Sequence, residues 1–459
     1  MTRLFGLSPQ LSELSGKYIP NTVLKRLGWY GGDKITSISS GDDLCDDTTI
    51  NTKYTDATID ILCRSCPNLR HLRIDENIES ISVDDTSGRH LTNASIQSII
   101  TYCTTLESLS ISWEGINNEG MGILATISTL KEFYLNIFEH ITSGGIRKVL
   151  KANKNLEKLS ISTYSAINDN LLRCISLSLP NLRELTLKVG EGCEDISDSS
   201  SFIAITQHCP LLENIEIDDW PLGDSFILSL SQYCLRLRHL LVDWDSGEDD
   251  DEALPITEAA LTRLFQACPD LRTLRNIPAT ATDASLRALA TYCVRLEAVG
   301  ILWNKHVTNA GLCDLFKACK SLTDVHIRSC YNITDESVFT LVRHCPLVRI
   351  MTLDSPKLTE ASLLCISTHV LQLQKLTVGH MSVPDDILSI IARRCKYLTD
   401  IDILHCTSVI SAGVLSLINK CHRLKRVSVL CCYMQISPEL KKYIDNRVMS
   451  KTELYVDVH

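Results

Sequence analysis

The 459-residue chain lacks the marks of most functional classes. No segment approaches the ~20 apolar residues that a membrane helix requires, and Met1 to Pro20 holds neither a useful apolar run nor a basic flank. The expectation is therefore no membrane span and no secretory leader. Bases form no run in the sequence, and the net charge of −10 argues against nucleic acid or an anionic membrane as the default partner. A Gly-x-x-x-x-Gly-Lys-Ser/Thr phosphate loop, a His-Glu-x-x-His pair and a Gly-x-Ser-x-Gly elbow are all missing, so neither an enzyme nor a cofactor is expected. Aromatics make up only 6% of the chain, which draws attention to where its five tryptophans fall.

Cysteine, by contrast, is abundant: there are twenty. Ten of them occupy one recurring position, and Cys330, Cys406 and Cys432 each follow such a position by eleven residues. That regularity suits a small apolar side chain packed at a repeated corner, in a reducing compartment, better than it suits disulfides. Cys63-x-x-Cys66 has the spacing of zinc ligands, but both residues lie on the apolar stripe Ile59, Leu62, Cys63, Cys66, and no second pair completes a tetrahedral site. No metal is expected.

The recurring position anchors a repeat. It falls at Cys66, Cys103, Ile127, Asn153, Leu179, Cys209, Cys234, Cys268, Cys293, Cys319, Cys345, Val370, Cys395 and Cys421, and from Cys268 onward every interval is 25 or 26 residues. Before the anchors, apolar residues recur at i, i+3, i+4 and i+7, as in Leu312, Leu315, Phe316, Cys319, which is one buried helical stripe. A Thr or Asn ahead of the stripe is placed to cap the helix. After the anchor the period falls to two, as in Leu109-Ser110-Ile111, which marks a short strand. A period of this length carrying helix then strand predicts an α/β leucine-rich repeat solenoid of about fourteen units, a horseshoe with a concave parallel sheet and outer helices. Residues 1–51 do not keep the period and are expected to form an N-terminal cap or docking segment. Residues 52–459 are expected to form the solenoid, with an atypical C-terminal cap in which Val456 sits on a last strand.

The phrase Cys-x-x-Leu-x-x-Val-x-Ile at Cys319 to Ile327, with Ile333-Thr334-Asp335 ahead of the next helix, resembles the cysteine-containing leucine-rich repeat. That repeat is familiar from F-box/LRR substrate receptors of ubiquitin ligases. The resemblance covers roughly Tyr54 to Val456, and no F-box accompanies it. It implies a protein-interaction module in cytoplasm or nucleus, with substrate recognition for a ubiquitin ligase as the specific form. A structural scaffold in a large assembly and an acidic inhibitor similar to ribonuclease inhibitor are the alternatives. The stretch Gln10 to Ile19 resembles an elongin-C-binding box, with Leu11 and Ile19 at its apolar positions, Leu14 between them, and Ser15 where that box carries cysteine. This implies a short helix docking elongin C or another ligase adaptor.

Candidate binding residues follow from the register. Trp113, Trp244 and Trp303 stand ten residues after an anchor and Trp220 eleven after, where strand runs into loop, so a tryptophan rim is expected. Positions five, seven and nine past each anchor should face outward from the sheet. In mid-chain these give Glu216, Asp218 and Asp243, which with Asp219, Asp245 and the acidic run Glu248 to Glu252 make a negative zone suited to a basic partner surface. Further on they give a mixed zone containing His326 and Arg328.

Overall fold

The computed structural model describes residues 13–16, 34–40, 54–75, 91–137, 140–163, 166–189, 199–218, 220, 222–242, 256–409, 411–432, 436–443 and 455–458. They divide into two compact units, Met1–Asp218 and Asp219–His459. The inserted stretches after Asp75, Val189 and Val242, including Glu248 to Glu252, lie outside the described residues.

Unit 1 carries strands β1 (Glu13–Gly16), β2 (Ser37–Ser40), β3 (His71–Asp75), β4 (Ser108–Ser112), β5 (Glu132–Ile137), β6 (Lys158–Thr163), β7 (Glu184–Val189) and β8 (Asn214–Ile217). Each pairs in parallel with the next. From β2 onward a helix precedes every further strand: α1 (Asp56–Ser65), α2 (Asn93–Tyr102), α3 (Asn118–Leu124), α4 (Ser143–Ala152), α5 (Asp169–Ser178) and α6 (Ser200–His208). Two of the strands, β1 and β2, fall within the segment that the sequence assigned to a cap, so that segment adds strands to the sheet.

Unit 2 repeats the plan. Its helices are α7 (Asp224–Tyr233), α8 (Glu258–Ala267), α9 (Asp283–Tyr292), α10 (Asn309–Ala318), α11 (Asp335–His344), α12 (Glu360–His369), α13 (Asp385–Arg394) and α14 (Ser411–Lys420). Its strands are β9 (His239–Val242), β10 (Thr273–Ile277), β11 (Ala298–Leu302), β12 (Asp324–Arg328), β13 (Ile350–Asp354), β14 (Lys375–Gly379), β15 (Asp400–Leu404), β16 (Arg426–Leu430) and β17 (Tyr455–Val458). These too run parallel, each bonded to the next. The expected last strand at Val456 is β17.

The anchor explains the repeat. In α9 it is the cap that ends the helix: the Cys293 N–H donates to the Leu289 carbonyl at 2.9 Å, and the Cys293 carbonyl accepts from Leu296 N at 3.2 Å. Its thiol donates to the carbonyl of the previous anchor, Cys268, at 3.5 Å. Cys268, Cys319 and Cys345 reach their predecessors in the same way. A small side chain with a donor suits this buried corner, although Ile127, Leu179 and Val370 fill it without one. Asn153 meets the same demand: its amide donates to the Ile127 carbonyl at 2.9 Å and its Oδ1 accepts from Leu130 N at 3.0 Å. Burial pushes the thiols of Cys209, Cys268, Cys293, Cys319 and Cys395 up to about 12. All eighteen described cysteines are free.

The helix starts are stapled between repeats. Thr308 caps α10 by accepting from Ala310 N, while its own N–H and hydroxyl donate to the carboxylate of Asp283, first residue of the preceding helix, at 2.8 and 2.6 Å. Asp56 with Thr92, Asp224 with Thr257 and Asp335 with Thr359 repeat the arrangement. A Cβ added to Gly311 would stand 2.9 Å from the Asp283 Cα, so glycine is what lets these two helix starts meet.

Candidate functional site

Strand side chains alternate as expected. In β12 the burial runs half-buried Asp324, buried Val325, half-buried His326, buried Ile327, exposed Arg328, so positions five, seven and nine past the anchor share the face away from the core. In unit 1 the acids of that face are already engaged. Lys188 lies 2.6 Å from Glu216 and 3.8 Å from Asp218, and Thr186 donates to Glu216 at 3.4 Å. Burial works against the Lys188 ammonium, but these two carboxylates more than offset it and hold its pKa above the usual lysine value. One ammonium thus partners both carboxylates of the described part of the negative zone and cancels half of their charge. Asp219, Asp243, Trp244 and Asp245 lie outside the described residues.

The tryptophan rim divides. Trp113 is fully buried, and its indole N–H donates to the Ile74 carbonyl at 2.6 Å. Trp220 is also buried. These two pack, and neither presents a ring to solvent, which corrects the expectation that they line an open rim. Trp303 differs: it is 43% exposed and its backbone is left-handed, φ 52°. A bulky residue rarely adopts that region.

Trp303 opens a row. Ser329, His380, His405 and Cys431 occupy the same place, ten residues past an anchor, and all have positive φ between 50° and 56°. Four of the five leave their strand by donating the N–H across to the next one: Trp303 to Arg328, Ser329 to Asp354, His380 to Leu404 and His405 to Leu430. The left-handed residue ends the strand and carries its side chain out at the sheet margin.

At the centre of the row sits a carboxylate that sequence reading passed over. Asp354 is 4% exposed, and its oxygens meet Arg328 Nε at 3.4 Å and His380 Nδ1 at 2.6 Å. Gly379 makes room for it, since a Cβ there would lie 2.6 Å from the Asp354 Cγ. The Asp354 pairing orients the His380 ring, which stacks on His405 at 5.0 Å between centroids. The His380 side chain is 53% exposed, and among the described residues its other ring nitrogen makes no hydrogen bond. His326, two residues before Arg328, shares a hydrogen bond with Thr352 Oγ1 at 2.9 Å, and burial together with Arg275 holds its pKa below the usual histidine value. The sequence signal was available: Asp354, His380 and His405 stand nine, ten and ten residues past their anchors, the register that selected Trp303. The arrangement offers an exposed indole, a guanidinium and two imidazoles, of which one buried carboxylate holds the guanidinium and the His380 imidazole. That is recognition chemistry, with donors and an aromatic face fixed before a partner arrives.

The adaptor-docking residues fare differently. Leu14 lies half-buried in β1, so Glu13–Gly16 form a strand and not the helix that the resemblance implied. Leu11 and Ile19 lie outside the described residues. Among the described residues no group of three or more His, Cys, Asp or Glu is placed to hold a metal ion, and no helix is long and apolar enough to cross a membrane.

No family model matches the chain. Two curated relatives are similar to part of it, the coronatine-insensitive protein homolog 2 of Oryza sativa subsp. indica and that of subsp. japonica. Each is 26% identical over 206 residues, covering 42% of this chain and 35% of the relative. The aligned part thus spans about a third of the length of those relatives. Among solved structures, the Rad7 and Elc1 complex in yeast is similar, with a TM-score of 0.53 and 17% identity over 68% of this chain and 79% of that one. Together with the parallel strands and the preceding helices in register, this establishes the fold of the chain as an α/β leucine-rich repeat.

Proposed function

We propose that the chain is a non-enzymatic protein-recognition subunit of cytoplasm or nucleus, serving as a substrate receptor or adaptor within a ubiquitin ligase. The observation that carries recognition is the exposed, left-handed Trp303 beside Arg328, Asp354, His380 and His405. Exposed aromatic and arginine side chains on rigid backbone are what interface hot spots are made of. The ligase assignment draws support from two likenesses: the cysteine-bearing repeat phrase, and a similar fold solved in complex with a second protein, Elc1. Elongin C or another ligase adaptor is the proposed second partner, through residues around Leu11 and Ile19.

The test is affinity purification of the full chain followed by mass spectrometry, in parallel with Trp303→Ala and Leu11→Asp. Recovery of a cullin or elongin C, lost in Leu11→Asp, with a further protein lost in Trp303→Ala, is the expected result. A fixed set of assembly subunits indifferent to both changes would establish a scaffold instead, and a captured ribonuclease would establish an inhibitor.

A further inference from the structure

Although the chain is acidic overall, the structure gathers its bases on one margin of unit 2. The seven residues from two before to four after each anchor form the loop between helix end and strand start. Across the last five such loops, at Cys319, Cys345, Val370, Cys395 and Cys421, there are ten Lys and Arg and no Asp or Glu. Lateral backbone bonds bring these loops side by side: Arg349 N donates to Thr323, Gln374 N to Arg349, Thr399 N to Gln374 and Lys425 N to Thr399. The bases form no long run in the sequence, because they come in twos and threes at Cys319, Cys345, Cys395 and Cys421, with none in the loop at Val370.

Helix dipoles account for part of this. Lys317, Arg343, Arg393, Arg394 and Lys420 lie at helix C-terminal ends, where cations are favoured. They do not account for Lys320, Arg349, Lys396, Arg423 and Lys425, which lie beyond the helix ends, nor for the missing acids. All ten are exposed, and among the described residues none pairs with a carboxylate. The crowding registers on His344: burial, Lys320, Arg343 and Lys317 all hold its pKa below the usual histidine value. Unit 1 shows the contrast, because its six equivalent loops hold six bases and three acids. The acids Glu107, Glu157 and Glu213 are bridged by Arg70, Lys131 and Arg183.

Apolar groups interleave with the bases on the same margin. Leu347 is 47% exposed, Leu371 50% and Tyr397 46%. Half-covered chains level with the charges do not project as membrane-inserting groups must. The one aromatic among them, Tyr397, has Arg423 over its ring at 4.7 Å, which leaves no platform for stacking bases. What matches both features is polypeptide.

We propose that this margin of unit 2 is a docking strip for an extended acidic segment of a partner protein. Its carboxylates would meet the bases, and its aliphatic side chains would settle on Leu347, Leu371 and Tyr397. Five neighbouring strand starts about 4.8 Å apart span roughly 20 Å, the reach of about six extended residues. The strip rests on the interaction-module reading but not on ligase membership, and it uses a margin distinct from the Trp303 row.

The test uses the full chain and a fluorescein-labelled peptide of glutamates interspersed with leucines, its glutamine counterpart, a short DNA duplex and phosphatidylserine vesicles. The glutamate peptide should bind, weakening as salt shortens the ~8–10 Å screening length, and the glutamine peptide should not. The combined variant Arg393→Glu, Arg394→Glu, Lys396→Glu should lose about tenfold or more in affinity through lost charge complementarity, while staying folded with a urea midpoint lowered only by the lost helix-end cations. Leu371→Ser should lose about threefold to fivefold, for a shed apolar contact. Absence of peptide binding, or tighter binding to duplex or vesicles, would overturn the proposal. Ligase subunits captured equally by wild type and the charge-reversed variant, without peptide binding, overturn the strip and leave the ligase reading standing. Peptide binding without ligase subunits does the reverse.

Discussion

Four residues past each anchor, unit 1 reads Arg70, Glu107, Lys131, Glu157, Arg183, Glu213, so the sign of charge alternates from one strand to the next. One position further, Lys158 bridges Glu132 and Glu184 in the same manner. Unit 2 opens similarly, with Arg272 on Glu297 and Arg295 on Asp270, and then reads Thr323, Arg349, Gln374, Thr399, Lys425. Inside the stack the contrast is inverted. Three of the six unit 1 anchors are Ile127, Asn153 and Leu179, whereas all but Val370 among the eight in unit 2 are cysteine. The two units teach that buried corner and exposed margin vary independently: one unit is varied within and self-neutralised without, the other uniform within and uncompensated without.

The largest expected effect comes from forcing the buried corner of unit 2. Cys319→Asp places an uncompensated charge where the thiol donates to Cys293, and should destabilise by on the order of 3–5 kcal/mol in urea denaturation. Cys319→Asn copies the solution at Asn153 and should cost far less; an equal loss would show that the two corners are not interchangeable. Next come the helix starts. Gly311→Ala meets the Asp283 backbone and should cost about 1–3 kcal/mol, the range for overpacking. Gly145→Ala meets chiefly the Asn118 side chain, which can swing aside, and should cost less in the same assay.

Reversing one rung of the unit 1 ladder is a smaller perturbation. Glu107→Lys sets like charges on three neighbouring strands and should lower the urea midpoint by the equivalent of about 0.5–1 kcal/mol at low salt, fading as salt rises. Thr323→Glu on the unit 2 margin should show no such loss; if it does, the margins do not differ as described. The smallest effect is a pH response. Burial raises the Asp56 pKa, but hydrogen bonds from Ser95 and Thr92 outweigh it and leave it lowered. Its contribution is therefore complete above the unfolded value of about 3.9 and is lost as pH falls through the folded one. Asp56→Asn should flatten that acid limb of the stability profile, and an unchanged slope below about pH 4 would assign the response to other carboxylates.

Much of this was readable from residues alone. Most anchors ended their helices as expected, Thr and Asn caps stood where most stripes began, and Val456 took its place in β17. These features repeat locally, and local pattern is what a sequence displays. The strand β1 was missed because Glu13–Gly16 has no alternation of its own and is held by pairing with β2. Register put Trp113 and Trp303 on one rim, yet only Trp303 is left-handed, and backbone handedness decides where the ring points. The Asp354 and His380 pair joins residues on neighbouring strands and depends on a missing Cβ at Gly379. The basic margin was missed because its members come in twos and threes in loops a repeat or more apart, and only lateral pairing brings those loops together.

The lateral register has a further consequence for how such a chain is made. From β10 to β16, Asp324 pairs with Ile350, Ile350 with Lys375 and Lys375 with Asp400, and each new strand closes a loop of only 25 or 26 residues. Loop-closure entropy is then nearly constant from one step to the next, and relative contact order stays low however long the array becomes. Each repeat needs only its predecessor as template, so ordering can advance along the nascent chain in the direction of synthesis.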